Sequence, residues 1–359
     1  MALPPVAADT LVSVTTTKVP APTTSESFGV PCLITTDVLD GSSRYLEFTT
    51  VEGIDAAETA TYISSATAAA ARLVLNQDQR PVSMAVINYI APEVPSDGLE
   101  DAIGEGLDVG AFELRSATEA TINTLATWLA ASASRKSRYL MVFQTADSGA
   151  YGGSKPAALT ACEQLGVKGF YSADAQYLAA AYLGKLSGHR LVGSPTAGPV
   201  GSQVRITGVT PTTALTAANL AALAANDFAV LQPMDHGASA TERIIVGTKA
   251  YDGSDWSSSV SLVYAGRQCR AAALGVWMDH AISGTALKAN GNGIAEAEAA
   301  IYAVLKPMAD AGHFTPNAVA PLGFSVTGSV SGTIVVVDVV LYLAGEATSF
   351  SVPIVGQEV

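Results

Sequence analysis

The chain has 359 residues, of which 49% are hydrophobic and 14% are charged, and its formal net charge is −13 at pH 7. This length can bury one large core or two moderate cores without disulfides or metals. The acidic balance disfavours a nucleic-acid partner, because surfaces that follow phosphates gain affinity from clustered Lys and Arg. A surface with few charges is poorly protected against association, so the composition slightly favours a self-assembling protein over an alanine-rich enzyme.

The cysteines and the N-terminal residues give no signal for metal binding or export. Cys32, Cys162 and Cys269 are far apart and lack the spacing of a zinc site, so we expect reduced, partly buried thiols. Residues 1–20 lack a basic segment followed by an apolar one, which predicts a protein that stays in a cytosol. No apolar stretch reaches the ~20 residues that a membrane-spanning helix needs.

The first 27 residues are rich in proline and threonine and contain one alternating stretch, residues 11–14. Disordered tails are usually more charged and lack such a β-branched run. The segment 1–27 therefore predicts an extended N-terminal arm, whose strand residues are Leu11, Val12 and Val14.

Residues 28–250 alternate strand-like and helix-like segments, an order typical of an α/β domain. Short apolar runs predict strands at 29–35, 82–91, 139–144, 169–172 and 228–231. Amphipathic or alanine-rich segments predict helices at 55–75, 117–135, 155–165, 174–187 and 217–225. Thr216 suits the N-cap of the last of these helices. Residues 90–200 carry no pattern that identifies a family.

Two long helices are predicted after residue 250. The first covers 256–282, with Asp255 or Ser254 as its cap. The second begins after the glycine-rich residues 291–293 and has apolar residues at three- and four-residue steps, so one face is apolar. Gly312 then ends this helix as a left-handed C-cap.

The sequence from Gly323 onwards predicts strands, because its apolar residues recur mostly at two-residue steps. This pattern indicates a hairpin or meander followed by a terminal strand. We therefore expect a C-terminal α+β core domain over 251–345 and a C-terminal arm over 346–359, whose strand residues are Phe350, Val352 and Ile354.

No motif predicts catalysis, cofactor binding or metal binding. Neither a GxSxG elbow nor a Walker A loop is present. Five carboxylates over 97–108 lack the alternation and the fixed glycine of an EF-hand, so a solvated helix face is expected there. Two histidines follow an aspartate, but no nucleophile motif accompanies either pair. The four histidines lie at least 33 residues apart, at His189, His236, His280 and His313.

Three segments occur in an order and spacing that match a known family. The first is SFGVP at 27–31, with YLEFT at 45–49 and VEGI at 51–54. The second is LTAANLAALAANDFAVL at 215–231, followed by the segment 242–274, in which a turn ending in Asp255-Trp256 opens a long helix. The third is the segment 290–318. Together they resemble the contractile tail sheath family of bacteriophages and cover most of the chain outside 90–200.

The resemblance implies a structural subunit rather than an enzyme. Such subunits form stacked hexameric rings around a tail tube and shorten to drive the tube through the host envelope. Their N- and C-terminal arms add strands to a neighbour's sheet, so here 11–14 and 350–354 would be donated and 323–343 would accept. The implied fold is an α/β middle domain and a C-terminal α+β core domain with two β-arms.

The resemblance also implies where such a subunit acts and what it contacts. The helix over 294–311 would face the tube, with Lys306 and Asp310 as polar contacts, although a plain core helix is an equal alternative. Expected partners are further copies of the chain, the tail tube protein, and baseplate and tail terminator proteins. Nucleic acid, membrane insertion and cofactors are not expected. The location would be the phage tail, assembled in the host cytoplasm.

Two other interpretations stay open at this point. An α/β hydrolase or ligand-binding protein would need a pocket with converging polar groups, which the sequence does not display. Another self-assembling shell, such as a surface-layer or pilus-like subunit, would be favoured by a signal peptide, and none is found.

Overall fold

The computed structural model describes residues 28–37, 39, 43–115, 118–172, 177–192, 204–212, 215–235, 241–247, 249–331 and 334–344. Both predicted arms lie outside these ranges, and so does His236. The arm assignments therefore stay predictions for Leu11, Val12, Val14, Phe350, Val352 and Ile354.

An eight-stranded sheet lies at the centre of the described fold. Its strands are β1 (Val30–Thr35), β2 (Tyr45–Phe48), β3 (Met84–Asn88), β4 (Val109–Leu114), β5 (Leu140–Thr145), β6 (Val167–Tyr171), β7 (Phe228–Asp235) and β8 (Thr241–Val246). Their order in space is β2-β3-β1-β4-β5-β6-β7-β8. The six inner strands are parallel, and β2 and β8 add antiparallel edges.

Helices connect the strands and cover both faces of the sheet. They are α1 (Val51–Thr59), α2 (Ser65–Leu75), α3 (Pro95–Gly104), α4 (Glu119–Ala130), α5 (Ala133–Lys136), α6 (Leu178–Gly188) and α7 (Ala217–Ala225). Four of these helices begin at hydroxyl side chains that accept a backbone N–H from the first turn, which helix geometry would otherwise leave unpaired. These caps are Thr50, Ser64, Thr118 and Thr216.

Side chains along each strand point alternately to the two faces of the sheet, and this alternation produces two apolar layers. Leu33 and Val142 belong to one layer, which includes α2 and α6. Ile34 and Phe143 belong to the other layer, which includes α3 and α4. Because neighbouring side chains of a strand point to opposite faces, a sheet that is apolar at both positions needs helices on both sides.

The C-terminal residues add α8 (Trp256–Ser283), α9 (Gly291–Asp310) and a hairpin of β9 (Phe324–Ser331) and β10 (Ile334–Leu341). Only the N-terminal half of α8 is buried. Its apolar residues and those of α9 belong to the first layer of the sheet. The C-terminal elements therefore share a continuous core with one face of the sheet.

A buried lysine fixes the loop that leads from the sheet into α8. Lys168 in β6 is fully buried. Its Nζ donates to the carbonyl oxygens of Gly247 at 2.9 Å and Lys249 at 3.1 Å, and it lies 5.4 Å from the centroid of the Trp256 ring. Hydrogen bonds from a charged donor are stronger than neutral ones. These two bonds therefore hold the loop before α8 close to the sheet.

The predicted α/β class is confirmed, and several predicted elements differ in their extent. The helix predicted over 55–75 is two helices, because Thr61 has a positive φ of 61° and a new N-cap follows. The helix predicted over 155–165 is a 3₁₀ segment, Ala157–Cys162, with non-helical dihedral angles at Leu159. The last predicted helix starts earlier than expected, at Gly291, because Asn290 caps it.

His313 joins α8 to the segment that precedes the hairpin. The ring is fully buried. Its Nε2 lies 2.8 Å from the carbonyl oxygen of Leu191, which can only accept, so Nε2 carries the proton. Its Nδ1 therefore accepts from the Ser261 hydroxyl at 2.8 Å. Burial is the main cause that lowers the pKa of His313. The hydrogen bond to Leu191 raises this pKa, and nearby His189 lowers it, so the net shift is downwards.

This environment predicts a loss of stability in mild acid. In the unfolded chain the His313 ring binds a proton with a pKa of about 6.5, whereas in the folded chain this ring binds a proton only at lower pH. The free energy of unfolding is therefore highest above that value and falls as the pH drops towards the folded pKa, by at most about 1.4 kcal/mol per pH unit. Urea unfolding at pH 7.5 and pH 5.5 should show this fall, and His313→Gln should reduce it. Equal pH dependence in the wild type and His313→Gln would contradict the assignment.

Candidate assembly interface

The hairpin of β9 and β10 forms a separate two-stranded sheet. Antiparallel pairing runs from Ile334 with Ser331 to Leu341 with Phe324. Two-stranded hairpins are marginal by themselves and need packing against other elements. Here α9 provides this packing. The Gly328 N–H donates to a carboxylate oxygen of Glu298 at 2.5 Å, and Ile294 occupies the space that a side chain at position 328 would need.

One face of the hairpin is apolar and faces the protein. Val337, Val339 and Leu341 of β10 pack against the core, as does Val326 of β9. The opposite face carries serine and threonine along β9, and Asp338 and Val340 along β10, of which Val340 is 48% exposed.

One edge of β10 has no partner strand within the described residues. Tyr342 N–H donates to the Gly323 carbonyl at 2.8 Å, so this residue points its backbone groups towards β9. Because neighbouring residues of a strand point these groups in opposite directions, odd-numbered residues of β10 point theirs away from β9. The donors and acceptors of Val335, Val337, Val339 and Leu341 are therefore available to a further strand.

An apolar cleft of about 620 Å³ lies along this same edge. One wall is β10, the other is the C-terminal half of α8, and α9 contributes Ala297 and Ile301. Trp277 is the largest side chain of the α8 wall. Burial raises the pKa of the Cys269 thiol, which also lines the cleft, to about 12, so this side chain stays neutral. A free backbone edge beside an apolar wall is the arrangement that binds an extended peptide as an added strand.

The walls of the cleft are held in position by polar contacts at the end of α8. His280 Nε2 lies 2.6 Å from a carboxylate oxygen of Glu296 in α9, and its Nδ1 lies 2.8 Å from the Thr285 hydroxyl. These contacts tie the C-terminal end of α8 to α9 and the loop between them.

The described chain begins and ends beside α8. Phe28 is fully buried, 6.3 Å from the ring centroid of Tyr264. Gly29 has a φ of 86° and packs against Arg267, which donates to Val109 O and to Asp108, both at 2.6 Å. At the other end, Ala344 accepts a bond from Ser258 of α8 at 3.3 Å. Ser258 and Arg267, the α8 residues that these two ends contact, lie about 14 Å apart along the helix axis, given a rise of 1.5 Å per residue.

Lys306 and Asp310, the predicted tube-facing residues, form an ion pair on α9. Lys306 Nζ lies 2.6 Å from one Asp310 carboxylate oxygen, and the side chains are 41% and 61% exposed. Pairs of this kind contribute only about 0.3–0.5 kcal/mol to a helix. The opposite face of α9, with Ile301, Leu305 and Met308, is buried. The helix is therefore a core helix with one exposed face, and tube contact stays a prediction.

The remaining predicted positions are structural. The acidic stretch 97–108 is partly the helix α3, and three of its carboxylates pair with arginines rather than facing only solvent: Glu100 with Arg135, Asp101 with Arg44 and Asp108 with Arg267. In the part of the chain that the structure describes, no cluster of His, Cys, Asp or Glu could hold a metal ion. Cys32 and Cys162 are buried, Cys269 is half-buried, and none of the three forms a disulfide within the described residues.

The place where α/β folds often bind ligands holds a buried ion pair. Between β1 and β4 the strand order reverses, and such a switch point forms a crevice in many enzymes. Here Glu113 accepts from Arg115 at 2.8 Å, and burial raises the pKa of Glu113. The Arg115 guanidinium lies 4.3 Å from the ring centroid of Tyr177. These side chains pair with each other, although Glu113 Oε2 and Arg115 Nε are buried without a hydrogen-bond partner.

Several solved structures resemble nearly the whole chain. A chain of the "anti-feeding prophage (AFP) baseplate, 6-fold symmetrised" matches with a TM-score of 0.65 and 15% identity, over 96% of this chain and 98% of that chain. The AFP helical sheath in its contracted state matches with a TM-score of 0.62 and 15% identity, over 96% and 98%. The sheath tail protein Lin1278 from Listeria innocua matches with a TM-score of 0.58 and 11% identity, over 87% and 95%.

This chain has the contractile sheath fold. The matches extend over nearly all of both chains, so the sheath fold includes the residues 90–200 that the sequence left without a family. No protein-family model and no curated protein matches the sequence. Among the described residues of this sheath fold, no helix is long and apolar enough to cross a bilayer.

The cleft was not predicted from the sequence. Its α8 wall consists of residues that equally suit a buried helix, such as Ala273, Val276 and Trp277. The free edge follows from the hairpin, which the two-residue steps after Gly323 did predict. The tertiary structure, rather than residue type, brings these side chains together with β10.

Proposed function

We propose that this chain is a structural subunit of a phage-type contractile tail sheath and acts by polymerising, not by catalysis. The observation that carries the proposal is the free edge of β10 beside an apolar cleft, in a chain with the sheath fold. Within the described residues this edge is incomplete, because the backbone donors and acceptors along it have no partner strand.

Strands donated by other copies complete the hairpin in this proposal. The donated segments are 11–14 of the N-terminal arm and 350–354 of the C-terminal arm. Each added backbone hydrogen bond contributes only about 1 kcal/mol net, so one short strand binds weakly. Every subunit both gives and receives strands, however, and linked weak contacts produce high avidity.

The position of the chain ends suits a woven polymer that changes shape. Both arms depart from α8, whose buried half lies in the same core as the sheet. The body therefore moves as one unit, while each donated strand stays on its neighbour. Contraction is then a change between two packings of the same folded subunit, and it requires no nucleotide. The domain boundaries at 28–250 and 251–345 belong to this proposal as well.

The partners and location follow from the same proposal. Copies of the chain stack as hexameric rings, the exposed face of α9 with Lys306 and Asp310 lies towards the tail tube, and baseplate and terminator proteins bind the two ends. The assembled sheath is part of a phage tail built in the host cytoplasm.

Electron microscopy of the purified chain tests the proposal directly. The full chain should form hollow, striated cylinders. Removing residues 1–20 or 346–359 should abolish the cylinders and leave a folded subunit, checked by circular dichroism, because neither segment belongs to the described core. Long, normal cylinders from either truncated chain, or flat lattices from the full chain, would refute it.

A single substitution in the cleft separates strand docking from folding. Ala273 lies in the α8 wall, so Ala273→Trp should fill the cleft and prevent cylinder formation. Ala271 lies on the exposed side of the same helix, and Ala271→Trp is the matched control. The expected result is loss of sedimenting polymer for Ala273→Trp alone, with both melting temperatures close to that of the wild type. Equal polymer from the two variants would argue against strand docking in this cleft.

A further inference from the structure

The cleft and the free edge of β10 also exist before any second copy arrives. An exposed edge flanked by apolar surface favours unspecific pairing, and proteins usually cover such edges. The question is which segment covers this one in a free subunit.

The chain's own C-terminal segment starts next to the edge. The described chain ends at Ala344, three residues after β10, and 15 residues follow it. The bond from Ala344 N–H to His313 O keeps the backbone of Ala344 turned away from the free edge. The first residue that can close a reverse turn onto this edge is therefore Leu343, since odd-numbered residues face it.

Hairpins commonly close with two- or four-residue loops. A four-residue loop over 344–347 pairs Leu343 with Thr348. Phe350 then stands opposite Leu341, Val352 opposite Val339, and Ile354 opposite Val337. Residues directly opposite each other share a face of the sheet, so all three apolar side chains would point to the side of the cleft. A two-residue loop shifts each pairing by two residues and keeps the same face.

Pro353 supports the same arrangement independently. A proline has no N–H and fits a strand only where that position points away from the ladder. In the pairing above, even-numbered residues of the segment bond to β10, and Pro353 points outwards. The register that buries the apolar side chains is thus the register that tolerates the proline.

We propose that in the free subunit residues 348–354 fold back as a third strand on β10 and fill the cleft, and that assembly replaces this strand with the same segment of a second copy. The replacement part of this inference rests on the proposed sheath function. Exchange of an identical element between copies leaves each contact the same, so the free subunit is protected without a loss of contacts in the polymer.

Engineered disulfides test the fold-back in dilute, monodisperse protein. In a Cys269→Ala background, Val352→Cys is combined with Val339→Cys or with Val337→Cys, which covers both loop lengths. One of these pairs should oxidise within a single chain, seen on a non-reducing gel as a monomer band in which only the two native thiols, Cys32 and Cys162, react with a thiol label after denaturation. The control pair, Val352→Cys with Val340→Cys, has side chains on opposite faces and should stay reduced. Only linked dimers, or no link in either test pair, would overturn the fold-back.

Peptide binding gives a second measurement that needs no cysteine. A labelled peptide of residues 346–359 should bind the subunit truncated after Gly345, and bind the full subunit at least about tenfold more weakly, because a tethered strand has a high effective concentration. A peptide carrying Val352→Asp should bind neither. Equal affinity of the original peptide for both subunits would overturn the proposal.

The same disulfide separates the two proposals. The oxidised monomer should form no cylinders until it is reduced; normal assembly of the locked monomer would overturn the exchange. Failure of the unlocked wild type to form cylinders would instead count against the proposed sheath function, and the fold-back result would be unaffected.

Discussion

The unpaired backbone edge of β10 is the constraint on which the account depends. Four residues of this strand, Val335, Val337, Val339 and Leu341, point their amides and carbonyls away from β9, and no described strand pairs with them. The apolar wall of α8 beside this edge gives a docked strand a place for its side chains. Backbone pairing supplies a general attraction and the cleft supplies the register, and neither would be specific alone.

The helix α8 connects this edge to the rest of the molecule. Its first half belongs to the core of the sheet, with Trp256 held near the buried ammonium of Lys168. Its second half forms a wall of the cleft. Arg267, between the halves, donates to Asp108 and Val109 and lies 5.9 Å from the ring centroid of Phe28. Both ends of the described chain therefore contact one continuous helix.

Local chemistry explains which elements the sequence could predict. Thr216 caps a helix that spans Ala217–Ala225, as the pattern indicated, and Gly312, with a φ of 83°, follows the end of α9. Both outcomes depend on a few neighbouring residues. The strand β4 escaped prediction because Gly110 and Glu113 interrupt its apolar run. Glu113 is buried beside Arg115, two residues further along the chain, and that burial depends on the tertiary structure.

The candidate interface was predictable only in part, for a related reason. Alternation after Gly323 indicates strands, but it does not indicate which edge stays open. Periodicity in α8 marks a helix but cannot distinguish a face that covers a core from a face that lines a cleft. The resemblance to sheath proteins supplied the expectation of strand exchange, and the geometry of β10 supplies the edge at which it can occur.

Residue-level amide hydrogen exchange tests the central claim most directly, because it reports whether each N–H of β10 is bonded. In the subunit that lacks 346–359, the amides of Val335, Val337 and Val339 should exchange at least about tenfold faster than those of Val336, Asp338 and Val340. In the assembled full-length polymer the two sets should be protected alike. Fast exchange of the odd-numbered amides in the polymer would contradict the account.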